Sequence, residues 1–329
     1  MRTESDSPDA PRWLHALAVL TVLCALPLVF LGASVTSHGV GMIDPRGFRP
    51  PWEIVNGLFE NSGMAWRLEY GHRTFGFLVG MCGIALAVGC WFFDRRAWLG
   101  WVALLALTLI CVQGALGILR VDRNADYPLV FKLLHGCLAQ IVFAVLVSIA
   151  LFTARGWASE NMQTAGIGLK LWSIVTAEIV FMQLMLGALV RHTDGLLGPR
   201  GHLLGAFVVV GAVAWLLKLM LESEAREHLS IHGIVLIVLL TAQLWLGVES
   251  WLARFHVPTA DLPQVLPLPI HAEWVRTLHY LIGTLLFATV VNVAILANRA
   301  LASRVRKRPE PAFAENTKST LNRELEGVA

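Results

Sequence analysis

Long apolar runs alternate with short polar ones along the 329 residues, and the apolar runs are nearly equal in length. About 20 apolar residues are needed to cross the hydrocarbon core as a helix. Eight runs qualify: Trp13–Val35, His72–Phe93, Trp98–Leu119, Leu129–Phe152, Gly168–Val190, His202–Leu221, Leu229–Trp251 and Val275–Leu296. The pattern predicts an all-α integral membrane protein with eight transmembrane helices. An even number of spans leaves both termini on one side. The basic residues Arg299, Arg304, Arg306, Lys307 and Arg308 in the tail predict that this side is the cytoplasm, of a bacterial cell membrane. The first run is too long for a signal peptide, and no cleavage-site pattern follows it.

Composition agrees with that reading. The chain is 56% hydrophobic and 15% charged, against about 25% charged in soluble domains. A net charge of +3 without a basic pattern argues against a nucleic-acid partner. Twelve tryptophans and three tyrosines suit an interfacial aromatic belt. Cys24, Cys82, Cys90, Cys111 and Cys137 all fall inside apolar runs, so they read as small buried hydrophobes and not as a disulfide framework. No G-x-S-x-G, P-loop or H-E-x-x-H motif supports a hydrolase or kinase.

The spans read as two copies of four, a pseudo-symmetric pair of four-helix bundles. Each outward-going span closes on a glycine: Gly32, Gly117, Gly187 and Gly247. Three of these have a glutamine four residues earlier, Gln113, Gln183 and Gln243. A small residue at that height permits close helix approach or contact with a flat ligand. The division predicted is residues 1–156 for the first half, 157–300 for the second and 301–329 for a polar cytoplasmic tail. Residues 36–70 of the first half form an outer lid loop, whose length argues for function.

Each inward-returning span carries a histidine near its outer end: His72, His135, His202 and His279. One imidazole on each of four equivalent helices is a constellation. Two on facing helices among apolar side chains suit a bis-histidine heme. The repeat pairs His72 with His135 and His202 with His279. Three residues before each histidine, on the same helix face, stand Glu69, Lys132, Pro199 and Arg276. Lys132 and Arg276 are candidates to pair with heme propionates. Arg73, Arg120, Arg191 and Arg200 lie at similar depth, and such pairing would explain an outer face richer in cations than the orientation rule expects. The other reading of any one of them is a snorkelling interfacial cation.

Glu69 breaks the symmetry. The first half reads EYGH where the second reads RTLH, so the two sites differ. An acid beside one site suits proton transfer or stabilisation of developing positive charge, and suggests that one site reacts while the other holds electrons. The plainer reading is that Glu69 caps the helix start or pairs with Arg73. His228 and His232 share a face without a third ligand, and His38 and His192 line the outer mouth. His15, His256 and His271 read as interfacial.

These residues resemble the heme A synthase family over nearly the whole chain. The resemblance lies in EYGHR at the second span, QGALGILR at the end of the third, GALVRHTDG after the fifth, and a histidine heading every even span. It implies an oxidoreductase that converts the C8 methyl of heme O to a formyl group by successive hydroxylations, assisted by a bound heme b. Carried across, His72 and His135 face the substrate heme, Glu69 is the catalytic acid or base, and His202 and His279 ligate heme b. Arg73, Lys132, Arg191 and Arg276 are the propionate candidates. Some members carry a cysteine pair in the first outer loop; Ser37–Leu68 has none, so no redox role of that pair applies here.

The partners implied are heme O, the heme O synthase that supplies it, an unidentified electron donor and the lipid bilayer. Gly39–Met42 and Gly76–Gly80 leave a homo-oligomer open. The alternatives are a non-catalytic diheme b-type electron carrier, which gives Glu69 no task, and a heme chaperone for oxidase assembly.

Overall fold

The structure is a computed structural model, and it describes residues 10–60, 63–123, 126–157, 165–193, 195, 197–255 and 272–306. His256, His271 and the tail from Lys307 onward lie outside the described residues. Among the described residues the chain forms nine helices. They are α1 (Arg12–Ser37), α2 (Pro51–Glu60), α3 (Met64–Phe93), α4 (Ala97–Asp122), α5 (Pro128–Thr153), α6 (Ile167–His192), α7 (Leu197–Leu221), α8 (Arg226–Phe255) and α9 (Ala272–Arg306). All but α2 are long and apolar enough to cross a membrane.

Two boundaries depart from the hydropathy reading. Helix α3 starts at Met64, two turns before His72, so residues 64–70 of the predicted lid are helical. Arg67, Glu69 and Arg73 lower the hydropathy there, yet a helix tolerates them because Glu69 and Arg73 pair at i, i+4. Helix α9 runs on to Arg306, into the segment read as polar tail. Pro199 stands in the first turn of α7, where a missing N–H leaves no helical bond unmade.

The long helices close into two rings of four. In one, α1 packs on α3, α3 on α4, α4 on α5, and α5 returns to α1; in the other, α6, α7, α8 and α9 repeat that circuit. The halves meet where α9 lies against α1 and α5, and where α5 touches α6. Helices α5 and α9 are accordingly the most enclosed, with 44% and 50% of their most apolar stretch buried, against 11% for α4 and α8. The latter two present their surfaces to lipid. Cys111 on α4 is among the exposed residues, which corrects its reading as a buried hydrophobe; Cys24, Cys82 and Cys90 are buried, and all five thiols are free.

Polar contacts weld the halves at the end where α1, α4, α6 and α8 terminate. The Arg191 guanidinium (α6) donates to the Ala33 carbonyl at 2.5 Å and to Ser37 Oγ at 2.6 Å, both on α1. Thr277 Oγ1 (α9) reaches the same Ser37 hydroxyl at 3.1 Å. Arg120 (α4) donates to Thr36 Oγ1 at 3.3 Å. Three helices thus converge on the last turn of α1, whose unpaired carbonyls and dipole favour cations. Tyr280 (α9) donates to the Gly136 carbonyl (α5) at 3.1 Å, and the Arg191 guanidinium lies 5.3 Å from the Tyr280 ring centroid.

Candidate functional site: paired histidines and a buried strap

All four histidines lie in the first turns of the helices that leave this same end of the bundle. His72 (α3) and His135 (α5) have ring centroids 6.4 Å apart, with ring planes at 79°. His202 (α7) and His279 (α9) have centroids 6.1 Å apart at 83°. The structure therefore brings together the two pairs anticipated from the repeat.

Each imidazole rests on a glycine of the preceding span. A Cβ added at Gly32 would lie 2.7 Å from His72 Cε1, and one at Gly117 would lie 3.3 Å from His135 Cε1. The distances at Gly187 to His202 and at Gly247 to His279 are both 3.1 Å. The four glycines are notches, and without a Cβ each ring edge can lie against the helix backbone.

The notch also sets the tautomer in one member of each pair. His72 Nδ1 lies 3.1 Å from the Leu28 carbonyl, and His202 Nδ1 lies 3.3 Å from the Gln183 carbonyl. Leu28 and Gln183 stand at equivalent positions, one turn before Gly32 and Gly187. A backbone carbonyl at Nδ1 favours the proton there and leaves Nε2 as the nitrogen open to a metal.

The glutamines, seen in the sequence only as a repeat, brace these helices. Gln113 Nε2 donates to the His135 carbonyl at 2.9 Å and Gln183 Nε2 to the His202 carbonyl at 2.8 Å. The Gln243 amide nitrogen lies 3.3 Å from His279 Nε2. Leu28 occupies the fourth position, so the notch facing His72 has no side-chain amide.

These pairs fit a heme. Metal–imidazole bonds are about 2 Å long, so imidazoles on opposite sides of one ion have centroids on the order of 6 Å apart. Among the described residues no group of three or more His, Cys, Asp or Glu side chains is placed to hold an ion. Each pair thus offers two imidazoles, which suits an ion whose other ligands come from a macrocycle. Buried polar atoms without protein partners gather at the same positions: Nδ1 of His135 and His279, and Oε1 of Gln113, Gln183 and Gln243.

Glu69 is buried in α3, with only 4% of its surface exposed. Its Oε1 accepts from Arg73 at 2.7 Å, and its Oε2 accepts from the backbone N–H of Ile43 at 2.8 Å and of Asp44 at 3.4 Å. Arg73 also donates to the carbonyls of Arg46 (2.9 Å) and Asp44 (3.3 Å). The Glu69–Arg73 pair therefore holds down the connection 38–63, a strap that includes α2. The strap has a second tether. Asp44 Oδ2 accepts from Arg49 Nη2 and from the Tyr70 hydroxyl, both at 2.5 Å, while Arg49 Nη1 donates to Glu53 Oε2 at 2.8 Å. Gly57 of α2 lies flat on the Tyr70 ring, where a Cβ would overlap it. Trp66 stacks on Tyr70 at 4.4 Å and donates to the Gly57 carbonyl at 2.6 Å. Asp44, Arg49 and Tyr70 carry no signal in the sequence, because their contacts form only when the strap folds back on α3.

Of the four cations singled out in the sequence, Arg73 is engaged by Glu69 and the strap, and Arg191 by the end of α1. Lys132 is half-buried on α5. Arg276 on α9 has its Nε buried and without a partner. Arg120, Arg191 and Arg276 form no ion pair among the described residues.

Fold and site together define a multi-pass membrane protein with one histidine pair in each of two four-helix halves. Residues 55–198, from α2 to the start of α7, match the family model described as Cytochrome oxidase assembly protein (COX15-CtaA). The Heme A synthase of Listeria welshimeri is 24% identical over 318 residues, covering 90% of this chain and 99% of that protein. The Heme A synthase of Listeria monocytogenes is likewise 24% identical over 320 residues, with the same coverage. The Heme A synthase of Bacillus pumilus is 28% identical over 191 residues, 55% of this chain and 59% of that protein. No solved structure matches the chain. Over nearly its whole length the chain is therefore similar to heme A synthases.

Proposed function

We propose that this chain is a heme A synthase, which takes heme O as substrate and oxidises its C8 methyl to a formyl group by successive hydroxylations. The observation that carries the reading is the unit of two facing imidazoles, each seated in a glycine notch, present once in each half. His72 and His135 would hold the iron of the substrate. His202 and His279 would hold heme b, which when bound supplies a redox centre for electron transfer.

Each hydroxylation converts C–H to C–OH with dioxygen as oxidant and two electrons from a separate donor, the second oxygen leaving as water, and it requires proton transfer near the methyl group. Glu69 is the carboxylate one helical turn from His72. Its Oε2 takes that proton by giving up the Ile43 N–H bond. Proton uptake and loosening of the strap are therefore one event. Arg73 fixes the carboxylate from the other side. The unpartnered Arg276 Nε, with Lys132 and Arg191, supports a propionate-binding rim at the histidine end. That end faces outward and the termini lie in the cytoplasm, with heme O arriving from its synthase through the bilayer and electrons from a separate donor.

The test is mass spectrometry of hemes extracted from a heme-O-producing host that expresses the chain and lacks its own heme A synthase. Heme A or its hydroxylated intermediate is the expected product. Glu69→Gln should abolish product while bound heme b is retained. Unchanged heme O beside abundant bound heme b, with folded protein and a working donor, would overturn the reading in favour of an electron carrier. Loosely held heme O without product would indicate a chaperone.

A further inference from the structure

The four imidazoles are not held alike. His72 and His202 each have a backbone carbonyl at Nδ1, that of Leu28 at 3.1 Å and that of Gln183 at 3.3 Å. His135 and His279 do not: among the described residues their Nδ1 atoms are buried without a partner. Each half therefore faces one anchored ring with one unanchored ring.

The anchoring residue stands at a fixed place, one helical turn before the notch glycine. Leu28 precedes Gly32 in this way, and Gln183 precedes Gly187. Gly117 and Gly247 seat the unanchored rings, and the residues one turn before them are Gln113 and Gln243. Both amides already touch the histidine in question. Gln113 Nε2 donates to the His135 carbonyl at 2.9 Å, and Gln243 Nε2 lies 3.3 Å from His279 Nε2. The oxygen of each amide, Oε1, is buried and also without a partner. An unpaired ring nitrogen and an unpaired amide oxygen thus belong to residues in contact, once in each half. Leaving such buried groups unpaired is costly, and native structures rarely do so.

A neutral imidazole free of metal can carry its proton on either nitrogen. One ligated through Nε2 must carry it at Nδ1, and inside a buried site that N–H needs an acceptor. Ligation through His279 Nε2 also ends the contact that the Gln243 amide nitrogen makes there.

We propose that Gln113 and Gln243 are positioning residues for the ligating rings. Their side-chain Oε1 atoms accept from Nδ1–H of His135 and His279 when Nε2 binds iron, which fixes the rings and raises their basicity. Gln183 has no such task, because its backbone carbonyl already serves His202. The proposal rests on the reading of each histidine pair as a bis-imidazole heme site. A stronger acceptor at Nδ1 makes the imidazole a better donor to ferric iron and lowers the reduction potential.

Spectroelectrochemical titration of the full-length, heme-loaded protein tests this at the second half, whose heme is the one missing from His279→Ala. Gln243→Leu should raise the midpoint potential of that heme and weaken its retention against apomyoglobin by about 10- to 100-fold. Gln243→Glu offers a carboxylate oxygen to the same N–H, and should lower the potential with the heme retained. Gln183→Leu removes a brace but no Nδ1 acceptor, and should leave the potential near that of the wild type. An unchanged potential in Gln243→Leu, or a shift in the same direction in both Gln243 variants, would overturn the proposal. So would a shift in Gln183→Leu as large as that in Gln243→Leu. A heme-loaded wild type without the low-spin bis-imidazole spectrum would instead overturn the reading of the histidine pairs, and this inference with it.

Discussion

The first half holds its histidine rings 6.4 Å apart at 79°, and the second holds its own 6.1 Å apart at 83°. Both pairs sit in glycine notches at the same height. The connections above them differ. Between α1 and α3 the chain takes residues 38–63, folds α2 and buries Asp44, Arg49 and Glu69. Helix α6 ends at His192 and α7 begins at Leu197, and Pro199 stands where the first half has Glu69. The four-helix frame sets the spacing of the imidazoles in both halves, so that spacing cannot distinguish their roles. What differs is a carboxylate with its own cation and a strap whose backbone N–H groups it holds. On the proposed function, a permanent redox cofactor needs only the frame, and a group that must enter, react and leave needs the strap as well.

The largest effect that would break this comparison is removal of one ligand from each half. His279→Ala should abolish low-spin heme in the second half and leave the first able to take heme O; His72→Ala should do the reverse. Heme content per chain and the low-spin electron paramagnetic resonance signals read this directly. Loss of both sites in either variant would mean that the halves are not separable units.

A smaller effect sharpens the comparison within the first half. Alanine at Gly32 puts a methyl 2.7 Å from a ring atom of His72, and His72 is pinned at Nδ1 to Leu28, so the ring cannot swing aside. Alanine at Gly117 meets His135 at 3.3 Å, and His135 has no partner at Nδ1. Overpacking of this kind destabilises by about 1–3 kcal/mol. Gly32→Ala should stand at the upper end, with its pair displaced, and Gly117→Ala at the lower end. Thermal melting of the purified protein and the optical spectrum of bound heme check the order. Equal melting temperatures would show that the notch at Gly32 relaxes.

Much of this frame was legible in the residues, because the bilayer permits few ways to satisfy a backbone. Hydropathy located the eight spans. The repeated histidines and glycines located the two pairs, since antiparallel helices of equal length return equivalent positions to the same height. The strap was legible only as a long outer loop. Its tethers join residues about 26 apart, such as Asp44 with Tyr70 and Ile43 with Glu69, and no periodicity records such contacts. Glu69 and Arg73, which hold the strap, together with Arg67 hid the start of α3 at Met64. The glutamine repeat was visible in the sequence, but its bonds to the histidine carbonyls depend on neighbouring helices and became clear only in the fold.

The least effect expected contrasts two ion pairs at opposite ends of α3. Glu69 and Arg73 hold the strap. At the other end, Asp94 accepts from Arg96 Nε at 2.8 Å and Nη2 at 2.7 Å, while Arg96 Nη1 caps the Phe152 carbonyl of α5 at 2.9 Å. Burial pushes the Asp94 carboxyl up, but the Arg96 side-chain and backbone N–H groups outweigh it and hold the group below its ordinary value. A carboxyl lowered on folding stabilises above its unfolded value, and that stabilisation is lost as pH falls through the folded value, here below about pH 4. Asp94→Asn should therefore be destabilising by about 1–2 kcal/mol at neutral pH. Melting curves should show the deficit narrowing as pH falls through that range. Because Asp94 lies at the far end of α3 from both histidine pairs, heme content and product should be unchanged. Glu69→Gln should show the opposite pattern, losing product with heme b retained. If Asp94→Asn also reduced product, the separation between frame and strap would fail, because a purely structural pair would then act on the chemistry across the length of a span.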